Sequence, residues 1–311
     1  SNLFSPRHIK FLIDILRLNN KCNAILKSGV LPTGTLGEFL AQSDFSPWLS
    51  SRYLLPMAGL IWSCSPKKAM EYPAADFMRF FDSHGLFTAM DQPQWRTVIG
   101  GSHQYVKKLM AKYRGELRLN TKVASLSRRD GQVIVAGERF DAVVCATHSD
   151  QALGLLTDAD AQEREILGGI PYNESRCILH TDESFLPKRR RAWASWNYTP
   201  ADDAIHDTPI SGSYWMNLLQ GIPGPTNYIV TLNPVREIPK EKIIYETVYH
   251  HPHYGPASVM THERLPQIQG KRGVWFAGAW TTFGFHEDGL KSGLRAVRGL
   301  DSTCLPAWAK L

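Results

Sequence analysis

The sequence predicts a mixed α/β protein of two interleaved modules, and three observations carry that expectation. The first 90 residues follow a helical pattern, residues 176 to 233 are dominated by short strand-like runs, and Asp141 to Ala146 and Val274 to Ala277 are continuous apolar runs. Runs of that last kind suit strands buried on both faces, as in a parallel sheet. The order is a helical block, a strand-rich block, a strand meander and a closing strand-turn-helix, which suits interleaved modules better than two beads on a linker.

The chain has 311 residues, 43% of them hydrophobic and 11% aromatic. That is enough to bury about 75% of the unfolded surface and to exclude a disordered chain. The longest apolar runs, such as Ala142 to Ala146 and Val274 to Trp280, fall far short of the roughly 20 residues that cross a bilayer. The net charge of +6 favours anionic partners weakly. Five cysteines without a C-x-x-C spacing argue against a disulfide framework or a zinc site, and a reducing cytoplasm is their simplest home. The chain opens Ser1-Asn2-Leu3 without a signal-peptide pattern.

Residues 7 to 27 read as an amphipathic helix, with Ile9, Leu12, Ile13, Leu16, Ile25 and Leu26 near a 3.6 period and Gly29 as its stop. Thr35 and Glu38 have the spacing of a capping box for a second helix. Residues 46 to 81 read as packed short helices, and Tyr105 to Tyr113 as a helix after Gly100-Gly101. Strand chemistry follows at Leu117 to Asn120, Val123 to Ser127, Val133 to Ala136 and Ala142 to Cys145, with turns at Arg129-Asp130-Gly131 and Ala136-Gly137-Glu138. Asp150 to Leu156 and Asp160 to Leu167 look helical. Strands are then expected at Arg176 to His180, Ala192 to Tyr198, Ser211 to Asn217 and Tyr228 to Leu232, and a last helix from about Asp288 to Leu300.

The most informative stretch runs from Gly273-Val-Trp-Phe-Ala-Gly-Ala-Trp280 to Gly284-Phe-His-Glu-Asp-Gly-Leu-Lys-Ser-Gly293. A buried strand ends at Ala277, and Gly278 lets the backbone close against a ligand. The helix beginning near Asp288-Gly289 offers free N–H groups and the positive end of its dipole to whatever lies beyond the strand tips. Glycines that serve packing alone would give the same spacing.

This segment resembles the C-terminal FAD-binding motif of the flavin-containing amine oxidase and phytoene-desaturase-like superfamily. The similarity extends to one bacterial branch, the NAD/FAD-binding oxidoreductases found beside cyclopropane-fatty-acid synthases. It rests on Ser83 to Leu86, Pro93 to Ser102, Val144 to Leu153, Leu179 to Asp182, Ala192 to Tyr198, Tyr214 to Asn217, Val230 to Pro234 and Gly284 to Leu290. The resemblance implies a doubly wound FAD-binding fold interleaved with a substrate domain. Residues 1–95 would be the helical part of the substrate domain and 96–156 part of the FAD domain. Residues 157–270 would be the strand-rich substrate domain, and 271–311 the C-terminal FAD-binding strand-turn-helix.

Carried over by position, the resemblance implies cofactor contacts at Val123, at Ala146, Thr147 and His148, at Gly278 and Ala279, and at Asp288, Gly289 and Leu290. Ala279 stands where many amine oxidases carry Glu, so a carboxylate contact is lost or would have to come from Glu287 or Asp288. No Gly-x-Gly-x-x-Gly occurs in the chain, so the expectation is an FAD fold lacking its N-terminal βαβ unit and binding FAD weakly by itself.

Other residues admit two readings. His286 and Glu287 are acid–base candidates beside the expected flavin, or ordinary residues of a helix start. Trp193, Trp196, Tyr198, Tyr214 and Trp215 line a substrate cavity or simply fill a core. His250, His251 and His253 are metal ligands or a loop, and Pro252 with no carboxylate nearby favours the loop and no metal. Lys188 to Arg191 reads as a solvated loop, with nucleic-acid binding as a remote alternative.

The function these readings support is an FAD-dependent oxidoreductase taking hydride from a C–N or C–C bond of an amine or a lipid-like substrate. Peripheral membrane contact would fit a lipid substrate. The alternative is a cofactor-free, catalytically silent fragment or binding module, which a colourless purified protein would indicate.

Overall fold

The computed structural model describes residues 5–88, 94–198, 210–305 and 307–309. In chain order the first helices are α1 (Pro6–Ser28), α2 (Leu36–Ala41), α3 (Pro47–Leu49), α4 (Leu55–Trp62), α5 (Pro66–Met70), α6 (Ala74–Ser83) and α7 (His103–Lys112). A strand meander, β1 (Leu126–Arg129), β2 (Gln132–Val135) and β3 (Glu138–Phe140), leads to β4 (Val143–Cys145). After α8 (Ser149–Leu155) and α9 (Ala161–Leu167) come β5 (Tyr172–His180), β6 (Trp196–Tyr198), β7 (Gly212–Trp215), α10 (Met216–Gln220), β8 (Ile229–Leu232) and β9 (Ile243–Pro252). The described chain closes with α11 (Pro256–Arg264), β10 (Val274–Phe276) and α12 (His286–Leu300).

These elements form two compact units, residues 1–115 with 173–251 and residues 116–172 with 252–311. The chain passes between these units at 115/116, 172/173 and 251/252. The physical reason is a shared core: Ile166, Leu167 and Ile170 near α9 and Leu265 and Ile268 after α11 are buried with Val274 and Phe276 of β10.

In the first unit, local signals set the helix ends. Ser5 caps α1 by accepting from the His8 N–H, and Gly29 ends it at φ 72°. The capping box before α2 is present in both directions, with the Thr35 N–H donating to Glu38 at 2.8 Å. Aromatic packing holds the helical block: Trp62 stacks on Tyr72 at 4.3 Å, and Phe77 meets Phe81 at 4.0 Å. A π-helical turn at Ser50–Leu54 joins α3 to α4.

The period of α1 matches the sequence, but its buried face does not. Ile9, Leu12, Ile13 and Leu16 are 45 to 50% exposed, while Asp14, Leu18, Asn19 and Cys22 point inward. The buried Asp14 carboxylate accepts from the Ser46 N–H and from Arg17, each at 3.0 Å. Burial raises its pKa, but the bonds from Ser46 and Arg17 outweigh that and leave it below the usual carboxylate value.

The sheet of this unit has the order β6-β7-β8-β5-β9, antiparallel between β6 and β7, β7 and β8, and β8 and β5. Several strand expectations are corrected here. The strand expected from Ala192 begins only at Trp196, because Arg190–Ala192 turn in a short 3-10 helix. The strand expected to Asn217 ends at Trp215, where α10 starts. β9 and α11 were missed; β9 is mostly exposed, so it lacks an apolar alternation to reveal it. His250 and His251 lie on β9 rather than in a loop.

The second unit stacks the antiparallel meander β1-β2-β3 and a parallel pair, β10-β4, with the register Val274↔Val143 to Phe276↔Cys145. Residues 117–125 hold no strand, and β3 forms where the sequence suggested part of a turn. β4 is not buried on both faces: Cys145 is buried but Val144 is exposed. The core is anchored by an ion-pair cluster that the sequence did not announce. Arg128 makes a two-pronged pair with the fully buried Glu163, at 2.5 and 3.1 Å, and reaches Asp158 at 3.2 Å.

Candidate functional site

The parallel register of β4 and β10 brings their C-terminal ends side by side, with the Ala277 N–H donating to the Cys145 carbonyl at 3.0 Å. Beyond these ends lie Ala146, Thr147 and His148 on one strand and Gly278 and Ala279 on the other. The Trp280 indole N–H ties the two by donating to the Thr147 carbonyl at 2.9 Å. Gly278 adopts φ 152° and ψ 158°, a region open only to glycine, and a Cβ there would lie 2.6 Å from the Trp280 ring. His262 fixes the same indole residue through a 2.8 Å bond between its Nε2 and the Trp280 carbonyl.

The helix start is locked onto this turn. The Gly278 N–H donates to the Ser292 hydroxyl at 2.8 Å, and that hydroxyl donates to the Gly289 carbonyl at 2.7 Å. The Gly284 N–H donates to the Ala279 carbonyl at 3.1 Å. α12 starts at His286, two residues before the sequence suggested, because Phe285 is its N-cap residue. Phe285 has no side-chain acceptor, so the first-turn amides of Glu287 and Asp288 keep the open donors of a helix N-terminus.

The acidic residues of that first turn do not point a carboxylate at the strand ends. Asp288 accepts the Phe285 N–H at 3.0 Å, which closes the loop before the helix. Glu287 pairs with Lys291 at 3.5 Å on the helix surface. His286, Glu287 and Leu290 are exposed. The replacement for the missing carboxylate at Ala279 is therefore not supplied by Asp288 as placed here.

His148 contributes a further polar group. Its ring stacks on Tyr172 at 4.7 Å and 16°, and its Nδ1 is buried with no hydrogen-bond partner among the described residues. That nitrogen could take a hydrogen bond from a water or a bound ligand. Val123 sits half-buried in the extended stretch before β1, apart in sequence from the turn and the helix start. Pro93, the first residue of one resembling stretch, lies outside the described residues.

A bound FAD can be tested against these groups. A glycine-only turn, a helix start with open amides and an orphaned imidazole nitrogen are what a large anionic ligand with ring acceptors requires. The residues at the ends of β4 and β10 fit such a group.

The five aromatics of the first unit do not act as one wall. Register places Trp196, Tyr198 and Tyr214 on one face of the sheet and Trp215 on the other. Trp196 meets Tyr214 edge to face at 5.5 Å, while Trp193 meets Trp215 at 5.1 Å. The Trp215 indole donates to Asn227 at 2.9 Å, and burial pushes the Tyr214 hydroxyl up to about 12. Arg190, from the basic run, lies over the Trp193 ring at 4.6 Å.

Sequence reasoning also missed a buried chain of polar groups on the Trp215 face. His180 Nδ1 accepts the Asp182 N–H at 3.0 Å, so Nε2 carries the proton and donates to Thr231 at 2.8 Å. Thr231 in turn meets Ser213 at 2.8 Å. Burial, first, lowers His180 to about 4; Asp182 pulls it back upward, and the Lys242 charge adds a smaller lowering. Among the described residues no group of three or more His, Cys, Asp or Glu side chains is placed to hold a metal ion, and no helix is long and apolar enough to cross a membrane.

Comparison with known proteins agrees with this architecture. Residues 35–243, more than half of the chain, match the family model described as flavin containing amine oxidoreductase. No curated protein sequence matches. Cyclohexylamine oxidase from Brevibacterium oxydans superposes with a TM-score of 0.62 at 13% identity, covering 97% of this chain and 76% of that one. A CLA-producing fatty acid isomerase from P. acnes gives 0.57 at 17% identity, covering 98% and 77%. A putrescine oxidase gives 0.64 at 11% identity, covering 96% and 77%. At these identities the likeness is one of fold.

Proposed function

The chain belongs to the flavin containing amine oxidoreductase family, and from that premise we propose that it serves an FAD-dependent oxidoreductase whose flavin is held by the Gly278–Ala279 turn and the first turn of α12. The observation that carries this reading is the lock between them: Ser292 holds the Gly278 N–H and the Gly289 carbonyl at once. That lock fixes the open amides of Glu287 and Asp288 relative to the strand ends. Positive potential there suits an electron-rich ring edge. The Asp288 carboxylate is taken up by the Phe285 N–H and Glu287 pairs with Lys291.

When bound, FAD supplies the hydride acceptor for a C–N or C–C bond. The protein's part is to position and to exclude water. The His148 nitrogen adds a polar contact at the end of β4, and Val123 is the proposed backbone contact to the adenine. His286 and Glu287 are the acid–base candidates, at the exposed edge of the site.

The substrate class we favour is lipid-like, with small amines as the competing class. Proteins of both kinds share this fold, since an amine oxidase and a fatty acid isomerase superpose on the chain. Trp193, Trp196, Tyr198, Tyr214 and Trp215 are the proposed sources of apolar substrate contact. The exposed stripe Ile9, Leu12, Ile13 and Leu16, flanked by Lys10 and Arg17, suits a peripheral contact with an anionic bilayer.

The test is the cofactor itself. Protein isolated from its native cells should carry a yellow chromophore that is released on denaturation as FAD. A Gly278→Val variant should lose it while keeping its far-UV circular dichroism. A colourless native protein that takes up no added FAD would overturn the proposal in favour of a cofactor-free binding module.

A further inference from the structure

The second unit contains a cavity of about 790 Å³ that borders the turn-and-helix site, with Ser292 and His262 in the wall between them. It runs along the flank of α12, where Arg295 and Arg298 line it, and its other walls include Trp275, Leu265 and Thr282. The volume falls within the roughly 300–1,000 Å³ typical of small-molecule sites.

Trp275 is the structured part of this cavity. It lies on β10 between the buried Val274 and Phe276, and its own side chain is only half-buried. Its six-membered ring rests against Gly270 and Gly299, and a side chain at either position would collide with it. Two glycines from separate segments thus keep room for an indole that a smaller residue would not need.

The charges beside it are unbalanced. Arg128, Arg264 and Arg272, in the same unit, each pair with a carboxylate. Arg295 and Arg298 have no carboxylate within 4.0 Å among the described residues, although both line the cavity. One helical turn apart, they stand on the same side of α12. Guanidinium groups so placed match the oxygens of a phosphate, and an indole matches a flat heterocycle.

The geometry points to a binding site for a nucleoside monophosphate, its base against Trp275 and its phosphate between Arg295 and Arg298. The site lies on the flank of α12 and stands whether or not the flavin reading holds.

The experiment is a calorimetric titration of the purified protein with AMP and, separately, with inorganic phosphate. A double variant, Arg295→Gln with Arg298→Gln, changes two exposed residues and should leave the fold intact. Saturable AMP binding is expected, weakened at least about tenfold in the double variant, with phosphate alone binding more weakly than AMP. Absence of saturable AMP binding, equal binding by the variant, or phosphate binding as tightly as AMP would each overturn the proposal. FAD uptake should be the same in both proteins. A parallel loss of FAD would place AMP at the flavin's own adenosine subsite and also overturn the assignment, whereas a failure of FAD binding in both proteins would count only against the proposed flavin function.

Discussion

Lowering the pH from 7.5 to 5.0 should destabilise this protein through one residue, His180. Its imidazole is fully buried on the strand β5 and bonded at both nitrogens, to the Asp182 N–H and to Thr231. A second ring proton would place a donor against the Asp182 N–H in a fully buried site. The ordinary value of 6.5 falls to about 4 in the folded chain. The unfolded state therefore binds a proton first as the pH falls. Stability is intact above about 6.5, declines through the interval, and levels off below about 4. At pH 5 the loss from this group is about 2 kcal/mol, and the full shift corresponds to about 3 kcal/mol.

Asp182 does not blur that window. Burial raises its pKa, but its bonds to Lys242 and Ser184 hold it below the ordinary 3.8, so its own loss comes at more acid pH. The assay is urea unfolding at several pH values for the native protein and for His180→Leu. The variant will be less stable throughout, because Asp182 and Thr231 lose a partner, so the slopes are compared and not the levels. The native slope should be steeper by close to one proton between pH 5 and 6. Parallel curves, or a His180 resonance titrating near 6.5, would refute the reasoning.

Four further outcomes are expected. Glu163→Gln leaves the Arg128 guanidinium buried without its two-pronged carboxylate and should cost about 3 kcal/mol in the same urea assay. Gly59→Ala gains about 1 kcal/mol of helix propensity on α4, yet its Cβ would lie 2.9 Å from the Cys64 carbonyl and against Ile210. The net effect should be a loss of about 1–2 kcal/mol, seen as a lower melting temperature. Gly278→Ala should break the Trp280–Thr147 bond and reduce FAD retention without unfolding the first unit, as flavin fluorescence and circular dichroism would show. Vesicles rich in anionic lipid should sediment the native protein, and Leu12→Glu with Leu16→Glu should weaken that binding at least about tenfold.

Local chemistry was legible in the sequence because its signals act within a few residues. Gly29 stops α1, Thr35 and Glu38 cap α2, and Arg129-Asp130-Gly131 turns β1 into β2, all within one turn of chain. The strand β10, the Gly278 turn and a helix after it could be read for the same reason. Strands without alternation gave no such signal, and β9 and β3 went unseen. The apolar period of α1 was clear, but period does not say which side is buried, and here the side carrying Asp14 is.

By itself the sequence determined the helical block and the strand-turn-helix, and it named candidate residues around the Gly278 turn. Only the tertiary structure decided how those residues are held. It turned the Asp288 carboxylate back onto Phe285, placed Ser292 under both Gly278 and Gly289, and split the five aromatics between two faces of one sheet. It also joined His180, Thr231 and Ser213 from three strands into one buried chain. Each of these depends on contacts between segments far apart in the chain, where register and packing, not residue type, choose the partner.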